Sequence, residues 1–144
     1  METKVFISKL DEEKIVAAIA AAEQKTSGEI RLCISNRKRE DALEAAQKRF
    51  EKLGMTQTRE RNAALIYFAP LTQKFAVVGD IGIHAKCGAD FWQAITTEMN
   101  KLLQAEQFTA AILYAIEKVG DVLATHFPQR PDDTNELPNH IVGD

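Results

Sequence analysis

Glu29, Asn62 and Asp80 bring two carboxylates and an amide oxygen, the ligand types a hard cation takes. Calcium accepts such oxygens at about 2.3–2.6 Å. Each residue stands at the end of a stretch that reads as a β-strand: Glu29 opens Glu29–Ser35, Asn62 precedes Ala63–Ala69, and Asp80 follows Phe75–Val78. Arg59, Arg61 and His84 lie close by in sequence, and the tail carboxylates Asp132, Asp133 and Glu136 are further candidate ligands should the tail fold back. Plainer roles compete with this one. Glu29 could pair with Arg59 or Arg61; Asp80 could cap the following helix, a role worth about 1 kcal/mol; His84 could be surface. Both sets of roles stay open at this level.

The elements that must position these residues are legible from period and punctuation. Ser8 and Asp11 have capping-box spacing, and Leu10, Ile15, Ala18, Ile19 and Ala22 recur at helical intervals up to Thr26-Ser27-Gly28. From Glu29, Ile30, Leu32 and Ile34 alternate with Arg31, Cys33 and Ser35, as in a strand with one partly wet face. Asp41 caps a second helix with Ala42, Ala46, Phe50 and Leu53 on one side and Gly54 as its stop. The unbroken apolar run Ala63–Ala69 predicts a central strand covered on both faces. A short turn at Pro70–Gln73 makes the next strand antiparallel to it. Two helices follow, one striped by Ala85, Phe91, Trp92, Ile95, Met99 and Leu102, the other from about Thr109 to Ala124. Lys4–Ile7 is left as a candidate extra strand.

This order predicts an α/β/α sandwich around a small mixed sheet of three to four strands, with the first two strands parallel through a right-handed crossover. Residues 1–127 form the domain, and 128–144 form a polar tail without helical or strand period. In such a sheet Glu29, Arg61-Asn62 and Asp80 gather on one rim, with the backbones of the outer two strands about 10 Å apart.

Other chemistries lack their signatures. There is no phosphate-cradling glycine loop, dinucleotide fingerprint, zinc spacing, nucleophile elbow or helix-loop-helix calcium loop, and the three histidines follow no ligand spacing. Net charge is −3, so nothing favours nucleic acid. The basic run Arg37-Lys38-Arg39 reads as a solvated loop, and Phe91-Trp92 as core. The longest apolar windows are far short of the roughly 20 residues that span a bilayer, which argues against membrane insertion. With no basic-then-apolar leader, the expected compartment is the cytoplasm, with Cys33 and Cys87 as reduced thiols.

Several segments resemble one family. They are Ser27-Gly28-Glu29-Ile30, Leu53-Gly54-Met55, the run from Arg61 to Tyr67, Val78-Gly79-Asp80-Ile81-Gly82-Ile83-His84, His126-Phe127-Pro128 and Asn135-Glu136-Leu137-Pro138. In this order they resemble the TPM domain family, whose best-known members act in the thylakoid lumen in photosystem II repair, and most closely its short stand-alone bacterial branch. The resemblance implies an α/β/α sandwich, calcium binding, and a weak acid phosphatase activity. This chain has Asn62-Ala63 where relatives often carry Asn-Gly, and it offers no recognisable nucleophile.

Three functions follow as expectations. One is a module that binds calcium or another divalent cation through Glu29, Asn62 and Asp80, with no organic cofactor. A second is a weak metal-dependent hydrolase in which Arg59 or Arg61 clamps a phosphate and His84 carries a proton. A third is a metal-free domain that binds a protein partner through its tail.

Overall fold

The computed structural model describes residues 1–129 and 141–144. The tail candidates Asp132, Asp133 and Glu136 lie outside the described residues, as does Leu137. The described helices are α1 (Thr3–Ser8), α2 (Glu12–Glu23), α3 (Ala42–Lys52), α4 (Ile81–Gln104) and α5 (Phe108–His126). The strands are β1 (Glu29–Ile34), β2 (Ala63–Ala69), β3 (Lys74–Gly79) and β4 (Val142–Gly143).

The sheet runs β3-β2-β1-β4. β1 is parallel to β2 and to β4, and β2 is antiparallel to β3. The expected order of the first three strands is therefore found, and the end of the tail adds a fourth beside β1. A two-residue strand has too few positions to show alternation.

Each sheet face carries its own apolar layer. Ile30, Leu32 and Ile34 of β1 join Ala64, Ile66 and Phe68 of β2 in packing against Ile15 and Ile19 of α2, Ile95 and Met99 of α4, and Ile112 and Ile116 of α5. On the opposite face Cys33, Leu65, Tyr67 and Ala76 meet Ala42, Ala46 and Phe50 of α3. The result is an α/β/α sandwich.

Three local expectations are corrected. Residues 4–7 belong to α1 rather than to a strand, because Phe6 is needed in the core, with its ring 5.4 Å from that of Phe68 and 5.2 Å from that of Phe108. Asp11, not Ser8, caps α2 by accepting from the Lys14 N–H at 3.1 Å; the Ser8 hydroxyl instead donates to the Val5 carbonyl at 2.6 Å. β1 has no wet face: all six of its residues are buried, Arg31 included. Arg49 of α3 stands near both Arg31 and Cys33, so charged and polar groups cover the side where water was expected.

Candidate functional site

The rim at the start of β1 and β2 is built from three tight connections. Gly28 lets the chain pass between Leu123 and the Asn62 carbonyl; a Cβ there would stand 2.9 Å from Leu123 and 3.0 Å from the Asn62 oxygen. Arg61 takes a left-handed conformation with φ 52°, which turns the chain into β2. The Gly82 N–H donates to the Arg61 carbonyl at 2.9 Å, and a Cβ at that position would sit 2.3 Å from the Glu60 carbonyl.

These turns bring the expected residues into one row. Glu29 is the register partner of Ala63, and the Asp80 N–H donates to the Ala63 carbonyl at 2.9 Å. The Glu29 N–H donates to the Asn62 carbonyl at 3.4 Å. All three candidate ligands are buried: Glu29 is 2% exposed, Asn62 1% and Asp80 5%.

Their chemical states differ. Asp80 forms a bidentate pair with Arg61, from Nε to Oδ2 at 2.6 Å and from Nη2 to Oδ1 at 2.8 Å. It also accepts from the Ile81 N–H at 2.8 Å as the cap of α4. Cap and ion pair thus coexist, and both carboxylate oxygens are engaged. Asn62 donates through Nδ2 to the Ser27 hydroxyl at 3.1 Å, while its N–H is taken by the Thr58 hydroxyl at 3.2 Å. Its Oδ1 is buried without a hydrogen-bond partner. The Ser27 hydroxyl reaches on to Glu60 Oε2 at 3.4 Å. Arg59 and His84 are exposed, and His84 leans on Trp92 with ring centroids 5.2 Å apart.

Sequence reasoning missed Glu23, the last residue of α2. Its Oε2 accepts the Ile30 N–H at 2.8 Å, and its carboxyl stands against that of Glu29. Burial first, and then the Glu29 carboxyl, push Glu23 up to about 8 against the pull of the Ile30 N–H and the Arg31 charge. Glu23, Glu29 and Arg31 thus gather as a cluster of charged groups at the start of β1. Arg31, assigned to a wet face, is held in this cluster, where burial lowers its pKa. Among the described residues no group of three or more His, Cys, Asp and Glu side chains converges as a metal cluster. No helix among them is long and apolar enough to cross a membrane.

The family description of the TPM domain matches residues 2–122, so the chain belongs to the TPM domain family. A solved relative is BA42, a protein of the psychrophilic bacterium Bizionia argentinensis determined by NMR. It is 36% identical, with 92% of each chain covered and a TM-score of 0.84. No curated protein matches the chain.

Proposed function

We propose that this TPM domain is a binding or assembly module that holds a divalent cation, calcium by its ligand chemistry, at the rim through Glu29 and Asn62. The observation that carries the reading is the buried Asn62 Oδ1 without a partner, in the same row as the buried Glu29 carboxyl. Leaving a buried acceptor unsatisfied costs about 1–3 kcal/mol. A cation would remove that cost and would keep Glu29 ionised beside Glu23. Calcium suits such a site because it takes amide and carbonyl oxygens as readily as carboxylates. Asp80 becomes a third ligand only by releasing Arg61; otherwise it fixes the loop that presents Asn62. The same pairing speaks against the hydrolase reading, because an arginine locked to a carboxylate is not a ready phosphate clamp.

The test is calcium-dependent melting of the full chain. A ligand that binds only the native state stabilises it, by about 2.7 kcal/mol at a hundred times its dissociation constant. Calcium should raise Tm, and Glu29→Gln should abolish the rise while the amide spectrum keeps its dispersion. A rise undiminished in Glu29→Gln would move the cation elsewhere. No rise in the wild-type chain would leave the metal-free interaction domain in its place.

A further inference from the structure

We propose that the outer edge of β1 and the basic pocket beside it form a binding site for an extended acidic segment of a partner protein, and that Val142-Gly143-Asp144 fills it as an internal ligand. The site lies at the carboxyl ends of the parallel strands, the far end of β1 from Glu29. Val142 and Gly143 pair in parallel with Cys33 and Ile34. Arg49 Nη2 donates to the Gly143 carbonyl. Asp144 Oδ2 accepts the Tyr67 hydroxyl at 2.7 Å and the Arg39 guanidinium at 3.3 Å. Main-chain pairing along a strand edge with a clamp on one acidic side chain is how sheet edges take up peptides: the backbone supplies affinity and the side-chain seat supplies specificity.

The internal segment leaves this site incompletely matched. A cavity of about 270 Å³ opens beside Asp144, lined by Arg37, Arg39, Lys48, Arg49 and Lys52. Asp144 is the one carboxylate among its described lining residues, although Lys48 also pairs with Glu44 at 2.9 Å outside the lining. The Nε atoms of Arg39 and Arg49 are buried without hydrogen-bond partners. The Asp144 Oδ1 is in the same state, so donors and acceptor are present but not aligned. With Lys48 paired to Glu44, four cations still face the one acidic side chain of the lining; with two unused buried donors they favour a segment carrying a second acidic side chain next to the one Asp144 supplies. The internal strand is held at only two β1 positions, which makes it the weakest pairing in the sheet and the easiest to displace.

The probe is an acetylated peptide, Ile-Val-Gly-Asp-Asp-Asp, titrated into the full isotope-labelled chain. A tethered segment competes at an effective concentration on the order of millimolar. The peptide should therefore bind weakly to the wild type, shifting amides of Cys33–Ser35, Arg37–Arg39 and Arg49 together with those of residues 142–144. In Asp144→Asn the internal ligand loses a charged hydrogen bond, and the peptide should bind about tenfold tighter at the same amides. Arg37→Gln with Lys52→Gln, both on the exposed wall, should weaken it by about tenfold at low salt without disturbing the internal strand. The proposal is overturned if the peptide shifts none of these amides at millimolar concentration in either form, or binds Asp144→Asn no more tightly than wild type. It is equally overturned if inorganic phosphate produces the shifts and the peptide does not displace it, which would make this a small-anion pocket. Dimerisation of Asp144→Asn by exchange of residues 142–144 would assign the edge to a second copy instead.

Discussion

Glu23 answers two demands at one position. The Ile30 N–H on the outer edge of β1 needs an acceptor, since β4 pairs with β1 only at Cys33 and Ile34. The same carboxyl is buried against Glu29, so ionising both is unfavourable. A neutral side chain of the same shape meets both demands. Glu23→Gln is therefore expected to hold stability at pH 7 within about 1 kcal/mol of wild type, because an amide oxygen still accepts from Ile30. Glu23→Ala removes the acceptor and should cost about 1–3 kcal/mol. Urea unfolding of the two variants checks this, and a larger loss for Gln than for Ala would show that an ionised Glu23 is what the fold uses. The residue was within reach of the sequence, since Ile15, Ile19 and Glu23 are spaced four apart and share one helix face. Only its polarity hid it, because an apolar stripe is followed by looking for apolar residues. The rim residues were legible for a different reason: parallel and antiparallel strand directions alone put Glu29, Asn62 and Asp80 at one end of the sheet. The pairing of Arg61 with Asp80, where Arg59 or Arg61 was expected beside Glu29, was not legible, because it depends on the left-handed turn at Arg61.

At the level of elements, α4 and β4 depart most from what period could tell. The stripe from Ala85 to Leu102 reads as one straight helix, but Gly88 sits at φ 73° and ψ 179°, which breaks the phase between the first turns and the rest. Ala85, which the stripe placed inward with Trp92 and Met99 beyond the kink, is exposed, and Ile83 is buried instead. That backbone region is open essentially to glycine alone and costs other residues about 1–3 kcal/mol. A Cβ at Gly88 would meet nothing within 4 Å, so the penalty is purely conformational. Gly88→Ala should lower stability by that amount in thermal or urea unfolding. An unchanged stability would mean that the kink straightens without loss.

The docking of β4 has its own pH signature. Burial alone would raise the Asp144 carboxyl, but the nearby Ser35 and Tyr67 hydroxyls and the Arg39 guanidinium outweigh it and hold the group below its ordinary 3.8. A depressed acid stabilises the docked form fully above its unfolded value, and that contribution is lost as the pH falls through the folded one. The other charged groups that face Asp144 are Arg37, Arg39, Lys48, Arg49 and Lys52. The Val142 and Gly143 amides should therefore be steady from pH 8 to 5 and move toward unpaired values only below about pH 4. Movement centred near neutrality would show that a group other than Asp144 holds the strand.

For the molecule as a whole, β1 is the strand on which everything hangs. It is buried along its full length, has β2 on one side and β4 on the other, and carries the rim at Glu29 and the acidic-segment seat beyond Ile34. At about 3.3 Å per residue the two ends lie roughly 20 Å apart. They share no side-chain partner among the contacts described above: Glu23 and Arg31 serve the first end, Arg39 and Tyr67 the second. Distant sites without common partners add to within about 0.3–0.5 kcal/mol. The stability changes of Glu29→Gln and Asp144→Asn should therefore sum in the double variant, and Asp144→Asn should leave any calcium-induced rise in Tm unchanged. Among the described residues Arg31 offers a side-chain route between the ends, because it stands between the Glu23–Glu29 pair and Arg49, which holds the Gly143 carbonyl. A double-variant deviation above about 1 kcal/mol would identify that buried row of charges as a coupling path. It should then vanish when the cycle is repeated in an Arg31→Met background; a deviation that survives there would have to travel through the β1 backbone itself.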